Sequence, residues 1–412
     1  MLISISVQNF LVFGRRVEMS LAAERSIKKF YSNVSRAGGT DVLKSACVYG
    51  GNNVGKTCML KAIATVKAVL SDIDCEIPVN IFTDDPVCTL SVRFTSGDDV
   101  YGYTFSYDCS LQDGRARGFV YERLSRYVPD EEVVFVRDSV NGEYFFRDDP
   151  SLASLLSFVS DSNILIFTVN AAKYPAVAEC KDILTSFADS VEVVDMNNIP
   201  MDKTLSVLKN DAAIRERTVE LIKLADLDID DYVYSGDIAR PAVFHPQEDV
   251  LSLPDCREDM FRLTSIHRGK PVRSLTFDST GTKKMVAIAS YIIEALSEGK
   301  ILVVDEIDSS LHFKLTRAIV SLFNNELNAC AQLIFTVHDV TLLDCKRLFR
   351  RDQVWFASKD DGEVKLYSLA SLSAREGEGD VLEKYKSGAL GALPEPDLVS
   401  VLLGREEDET ED

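Results

Sequence analysis

The stretch Val48-Tyr49-Gly50-Gly51-Asn52-Asn53-Val54-Gly55-Lys56-Thr57-Cys58-Met59-Leu60 decides the fold. Residues 50–57 spell G-x-x-x-x-G-K-T without a gap. Gly50 and Gly55 let the backbone bend so that successive N–H groups face a phosphate. Lys56 places a point charge on the β- and γ-oxygens of a nucleotide, and Thr57 offers a hydroxyl to Mg2+. Asn52 and Asn53 lie within the loop, and Cys58 follows it. The context agrees with the motif. Ser45 to Tyr49 is a short apolar run that reads as a buried strand feeding the loop. Met59, Leu60, Ile63, Val66, Val69 and Leu70 fall at helical spacing. That helix aims its N-terminus at the same anion. The expected cofactors are ATP and Mg2+.

Working outward, Leu2–Val7 and Arg16–Leu21 alternate apolar and polar residues, with Leu11-Val12-Phe13-Gly14-Arg15-Arg16 as the turn between two strands. From about Val87 to Arg137 the chain is rich in strand patterns separated by turn residues. A polar, helical stretch follows, roughly 151–227, whose clearest amphipathic segment is 212–227. The last third alternates helices, at 282–299 and 311–327, with apolar strands at 300–308 and 330–339. Alternation of this kind means a mainly parallel sheet. The expected class is α/β: a mainly parallel sheet, an antiparallel β subdomain and a helical insertion. The expected division is an N-terminal lobe 1–150, a mainly helical insertion 151–260, a C-terminal lobe 261–400 and an acidic tail 401–412. No heptad run or fixed-period repeat is present.

Three further motifs carry chemistry. Ile301-Leu302-Val303-Val304-Asp305-Glu306 is a buried strand tipped with two carboxylates. Beside a phosphate loop, Asp305 suits Mg2+ and Glu306 suits polarising the attacking water. Alone, the same pattern is only a strand meeting solvent at an acidic turn. Asp278-Ser279-Thr280-Gly281-Thr282-Lys283 opens a helix. Ser279 and Gly281 form a small anion cradle there, and the plain alternative is an ordinary N-cap. Phe335-Thr336-Val337-His338-Asp339 ends the next strand, where His338 can reach a γ-phosphate.

In this order the motifs resemble the layout of an ABC-type ATPase head: phosphate loop, long insertion, Ser-x-Gly signature, Val-Val-Asp-Glu, a D-loop-like Asp308-Ser309-Ser310-Leu311-His312, then a switch histidine. The opening residues 1–14 resemble the first hairpin of SMC-like, RecF-like and OLD-family heads. Residues 279–284, 305–312, 336–344 and the ending from Arg350 are similar to the stand-alone ATPases of bacterial anti-phage defence operons, the group of RloA, the AbiL ATPase and AriA of PARIS. The resemblance implies a head-to-tail homo-oligomer, a dimer or higher, in which ATP on Gly50–Thr57 of one copy is capped by Ser279 and Gly281 of another. It also implies a separate effector, a Toprim-like nuclease, and a phage-encoded trigger. Two departures stand out. Leu11 occupies a position where many relatives carry Arg, and no Gln-loop is placed after the first helix, since Gln112 sits in a hairpin.

Composition narrows the field. The 412 residues carry 45 Lys and Arg against 65 Asp and Glu, a net charge of −20. Such a chain repels nucleic acid over most of its surface. The basic clusters are Lys28-Lys29 and Lys346-Arg347-Arg350-Arg351. Nine cysteines without a C-x-x-C pair read as reduced thiols in the cytoplasm. The longest apolar runs fall short of the roughly 18 residues of a membrane span, and no signal peptide is read at the N-terminus. About 74 residues separate His338 from residue 412, too few for a nuclease domain beside the elements that finish the head. The expected function is an ATP-hydrolysing sensor and regulator in a defence system. The alternative is a DNA-repair clamp of the SMC or RecF kind. A transporter subunit is disfavoured by the divergent signature.

Overall fold

In the computed structural model, the described residues are 1–112, 115–210, 212–224, 228–234, 263–360, 362–372, 381–388 and 390. Two sheets organise them. The first is antiparallel, seven strands in the order β10-β9-β8-β7-β6-β1-β2. Its strands are β1 (Leu2–Gln8), β2 (Val17–Ser20), β6 (Val87–Ser96), β7 (Asp99–Gln112), β8 (Arg115–Val128), β9 (Asp130–Asp138) and β10 (Glu143–Phe146). The second has six strands in the order β11-β15-β16-β5-β17-β18. These are β5 (Ser45–Tyr49), β11 (Val191–Asp195), β15 (Ile301–Asp305), β16 (Gln332–Thr336), β17 (Val354–Asp360) and β18 (Glu363–Ser368). All its pairs are parallel except β17 with β18. Two small antiparallel sheets complete the strands: β3 (Val34–Ala37) with β4 (Thr40–Leu43), and β12 (Asp231–Tyr234), β13 (Leu263–His267) and β14 (Lys270–Arg273).

Helices of nine residues or more are numbered α1 (Lys56–Leu70), α2 (Pro175–Asp189), α3 (Asp202–Asn210), α4 (Ala212–Leu224), α5 (Thr280–Glu298) and α6 (Phe313–Phe323). They cover both faces of the parallel sheet, and the strand sequences show why. β15 sends Ile301 and Val303 into one core with α1, α2 and the antiparallel sheet. It sends Leu302 and Val304 into a second core with α3 to α6. β5 and β16 alternate in the same way. A strand buried on both faces must be apolar throughout, because period-two alternation leaves no side for water.

Two buried glutamines join the layers. The Gln332 amide accepts from Leu2 N at 2.6 Å and donates to the carbonyls of Leu2 and Leu43, both at 2.9 Å. Gln353 accepts from Asn33 Nδ2 at 2.7 Å and donates to Ser45 Oγ at 2.8 Å. Each satisfies backbone or side-chain groups that a sheet edge would leave unpaired in the interior.

The fold agrees with the expected class and differs at two places. The stretch expected to be mainly helical contains β11, an edge strand of the parallel sheet, with Val191 opposite Ile301 and Asp195 opposite Asp305. Three valines in five residues favour the strand. The helix expected over 311–327 is confined to Phe313–Phe323. His312 Nδ1 caps its start by accepting from Lys314 N at 3.3 Å. Past its end, Asn325 Oδ1 accepts from Leu327 N at 2.9 Å, so the asparagine side chain competes with continued helix. The helix expected over 212–227 is Ala212–Leu224, and residues 225–227, like the acidic tail 401–412, lie outside the described residues.

Candidate active site

The parallel register brings the carboxyl ends of β5, β11, β15 and β16 to one edge of the sheet. That edge is where open α/β sheets bind ligands. The loop from Gly50 to Gly55 turns there between β5 and α1. Gly50 has φ of 153°, and a Cβ on it would stand 2.4 Å from Ala357 O. Gly55 has φ of 95°, and a Cβ there would meet Val12 Cγ2 at 2.9 Å. Both positions therefore admit glycine alone. Val12 belongs to the turn after β1, so the first hairpin packs directly on the loop. Asn53 also has a positive φ, 59°, which asparagine tolerates better than most residues. Asn52 and Asn53 are exposed.

Lys56 is buried, and its Nζ donates to Gly50 O at 2.9 Å and Gly51 O at 2.7 Å. Burial holds its amine below the ordinary lysine value, while Glu306, Asp305 and Asp308 pull the other way. Thr57 Oγ1 donates to Asp305 Oδ1 at 3.1 Å. The hydroxyl of Thr336, at the end of β16, donates to the same carboxylate oxygen. It also accepts from Glu306 N at 2.7 Å. Ile307 N donates to Thr336 O at 3.1 Å. These bonds hold Glu306 with φ of 52°. For a residue with a Cβ, that conformation costs about 1–2 kcal/mol.

The site fits Mg2+ and a nucleotide. Thr57 and Asp305 are hard oxygen donors, and Mg2+ takes its other ligands from waters and phosphates. Among the described residues no cluster of three His, Cys, Asp or Glu would hold a metal unaided.

His338 and Glu306 face each other, with Nε2 and Oε1 3.7 Å apart and side chains 42% and 37% exposed respectively. The backbone of His338 is set by Asp308, whose Oδ2 accepts from His338 N at 2.9 Å and Asp339 N at 2.6 Å. Asp308 Oδ1 is buried with no hydrogen-bond partner. Ser279 is the exposed N-cap of α5, and its Oγ accepts from Thr282 N at 3.1 Å. The plain capping role is therefore filled. Gly281 lies in the first turn, where a Cβ would stand 2.6 Å from Ser310 O. The start of α5 thus packs on the loop after β15 in the same chain. Behind it, buried Asp278 accepts from Tyr232 Oη at 2.8 Å, Ser265 Oγ at 2.9 Å and the hydroxyl of Ser274. His267 Nε2 stands 3.0 Å from its Oδ1.

Two residues at this edge were missed by sequence reading. Thr336 was quoted within its motif without a role. Asn197 follows β11, and its Nδ2 donates to Glu306 Oε2 at 2.7 Å. The signal for Asn197 was a valine-rich run ending in Asp195, a fainter copy of the Val-Val-Asp-Glu strand. Cys58 lies half-buried on the first turn of α1 against the Val12 backbone, where burial raises its thiol pKa. The two basic clusters line one cleft of about 640 Å³. Arg350 is spent inside the fold on Asp352 and on the carbonyls of Glu24, Ile27 and Lys29. Arg351 donates to the carbonyls of Leu369 and Leu372.

A family profile described as "AAA domain, putative AbiEii toxin, Type IV TA system" matches residues 45–344, a span that begins with β5 and includes His338. No curated protein matches the chain. Among solved structures, the chain is similar to an SMC head domain from Thermotoga maritima, at 12% identity and TM-score 0.43, covering 89% of this chain and 98% of that one. It is also similar to an SMC head bound to the C-terminal winged-helix domain of ScpA, at 13% identity and TM-score 0.48, covering 91% and 99%. A third is an SMC head with an extended coiled coil, bound to the C-terminal domain of ScpA derived from Pyrococcus furiosus, at 13% identity and TM-score 0.41, covering 93% and 99%. Among the described residues no helix is long and apolar enough to cross a membrane.

Proposed function

Because the chain belongs to the AAA-domain family described as putative AbiEii toxin of type IV toxin–antitoxin systems, we propose that this ATPase is the sensor and regulatory subunit of an anti-phage, abortive-infection type defence system. In this reading it works in the cytoplasm and controls a separate effector, a Toprim-like nuclease, in response to a phage-encoded trigger. The observation that carries the enzymatic part is the hydrogen-bonded run Thr57–Asp305–Thr336–Glu306. It joins the loop hydroxyl of Thr57 to the Asp305 carboxylate and, through Thr336, to the backbone N–H of Glu306, which supports reading Asp305 as the metal-side and Glu306 as the water-side acid.

Bound Mg-ATP supplies the phosphoanhydride and the cation that neutralises its oxygens. The amides of Gly50 to Gly55 and the Lys56 ammonium hold phosphate. Thr57 and Asp305 supply the protein oxygens toward Mg2+. Glu306 orients and polarises water. In this reading His338 shares a proton with Glu306 or contacts the γ-phosphate, and its position 3.7 Å from Glu306 supports that role. Ser279 and Gly281 sit at an exposed helix start, and in this proposal they cap the nucleotide of another copy. The site is then completed only in a head-to-tail oligomer. The defence role and the separate effector are supported by the toxin–antitoxin description and by the resemblance of the closing motifs to stand-alone defence ATPases.

One observation favours the second reading, a DNA-repair clamp: Lys28, Lys29, Lys346 and Arg347 share one cleft. The net charge of −20 weighs against it, as does the internal use of Arg350 and Arg351. One experiment separates the two. Glu306→Gln, tagged and expressed from its native operon, is purified with Mg-ATP and its companions are identified by mass spectrometry. A stoichiometric nuclease-like protein supports the regulator. DNA with no protein partner overturns it in favour of the clamp.

A further inference from the structure

Glu306 is held by a small polar network that reaches helix α5. Asn197 Nδ2 donates to Glu306 Oε2 at 2.7 Å. Asn197 Oδ1 accepts from Ser309 Oγ at 2.8 Å and from Lys284 Nζ at 3.4 Å. Lys284 Nζ also donates to Ser309 Oγ at 2.9 Å. Donor chemistry fixes every direction. An ammonium only donates, so Ser309 accepts from Lys284 and is left to donate to Asn197. The amide oxygen of Asn197 must then face Ser309 and Lys284, and its NH2 must face Glu306. An ionised carboxylate only accepts, so both ends of the network demand the same orientation.

The network joins three elements distant in sequence. Asn197 follows β11, Ser309 lies in the loop after β15, and Lys284 is on α5, five residues past Ser279. Lys284 is buried, and burial lowers its amine pKa while Asp195 and Glu306 pull it back up. The start of α5 also presses on the same loop, since Gly281 leaves no room for a Cβ beneath Ser310 O. Moving the first turn of α5 must therefore move Ser309 and Ser310. Through Ser309 it must turn the Asn197 amide.

We infer that Asn197 is a positioning residue for Glu306, and that Lys284 and Ser309 make its orientation follow the first turn of α5. This regulation rests on the reading of Glu306 as the group that polarises water. It makes the hydrolytic carboxylate answer to whatever contacts Ser279 and Gly281, before any change at the phosphate loop.

The test uses the full chain with Asn197→Asp, Asn197→Ala, Lys284→Met and Glu306→Gln. Asn197→Asp keeps the shape and the acceptor toward Ser309 and Lys284, and places an acceptor against the carboxylate. Both Asn197 variants are expected to lower kcat for ATP at least tenfold. KM, and Kd for a fluorescent ATP analogue, are expected to stay within about threefold. Lys284→Met should add nothing to Asn197→Ala in the double variant, because both act through one contact. A readout independent of turnover is the swap. Asn197→Asp should lower Tm by about 1–2 °C, and Glu306→Gln in the same chain should restore it, since the new amide donates to the new carboxylate.

Wild-type kcat in both Asn197 variants, with Glu306→Gln inactive, overturns the inference and leaves the ATPase reading standing. So does a swap that restores nothing. Wild-type turnover by Glu306→Gln removes the reading of Glu306 itself, and the inference with it.

Discussion

Lys56 spends its ammonium on the carbonyls of Gly50 and Gly51, 2.9 and 2.7 Å away. A nucleotide's phosphates are stronger acceptors for the same charge. Lys56→Ala should weaken ATP binding more than about a hundredfold, the scale of one lost charge-assisted contact of ~3 kcal/mol, as equilibrium fluorescence with a labelled analogue would register. Thr336 acts differently, because its hydroxyl bonds both the Asp305 carboxylate and the backbone N–H of Glu306. Thr336→Val keeps the shape, frees Glu306 N and Asp305, and should cost ~1–2 kcal/mol in stability. It should also lower kcat with little change in nucleotide Kd, so urea unfolding together with steady-state kinetics checks it. The residues legible in the sequence were those whose chemistry has no substitute in a phosphate loop or at an acid-tipped strand. Thr336 and Asn197 were not legible, because each owes its role to a partner 30 and 109 positions away.

Helix α5 shows how one element serves both stability and the site. Its Glu294 meets Lys203 of α3 and Lys300 at the start of β15, and Lys203 also reaches Glu192 of β11, 3.1 Å away. Burial alone would raise the pKa of Glu294, but the two lysines outweigh it and hold the carboxyl below its usual value. A depressed carboxyl pKa contributes stability above the unfolded-state value, and that stability is lost as pH falls through the folded one. Wild type should therefore lose Tm relative to Glu294→Gln as pH drops below about 4.5, the ordinary value, and the two should run parallel near neutrality. Thermal scans across pH decide it. At the other end of α5, Gly281→Ala forces a carbon to within 2.6 Å of Ser310 O. Overpacking of this kind costs about 1–3 kcal/mol. The expected result is a lower Tm and a kcat loss larger than the loss in nucleotide affinity. The apolar run of β15 and the capped start of α5 were readable from sequence. The membership of β11 in the parallel sheet was not, because five residues inside a helical context say nothing about which edge they pair with.

At the scale of the whole molecule, phosphate loop and carboxylates lie within one chain while Ser279 opens an exposed helix start. If a second copy supplies that turn, Glu306→Gln with Mg-ATP should elute as a dimer or larger species, and nucleotide-free protein as a smaller one. Ser279→Arg should block the assembly while leaving analogue Kd within about threefold. Light scattering after gel filtration measures the first, fluorescence the second. A dimer that forms regardless of Ser279→Arg would place the interface elsewhere.

By itself the sequence determined the chemistry available at the site. A G-x-x-x-x-G-K-T loop, a carboxylate-tipped apolar strand and a histidine at the end of a late strand are local patterns, and local patterns are set by short-range sterics and by the period of the chain. It also determined the α/β class, because alternating amphipathic helices and doubly buried strands pack in few other ways. Only the tertiary structure decided the strand order. That order sets β11 beside β15 and β16 beside β5, and so puts Asn197, Thr336 and Lys284 around Glu306. Contacts between residues far apart in sequence depend on register and crossover, which no short window of sequence encodes.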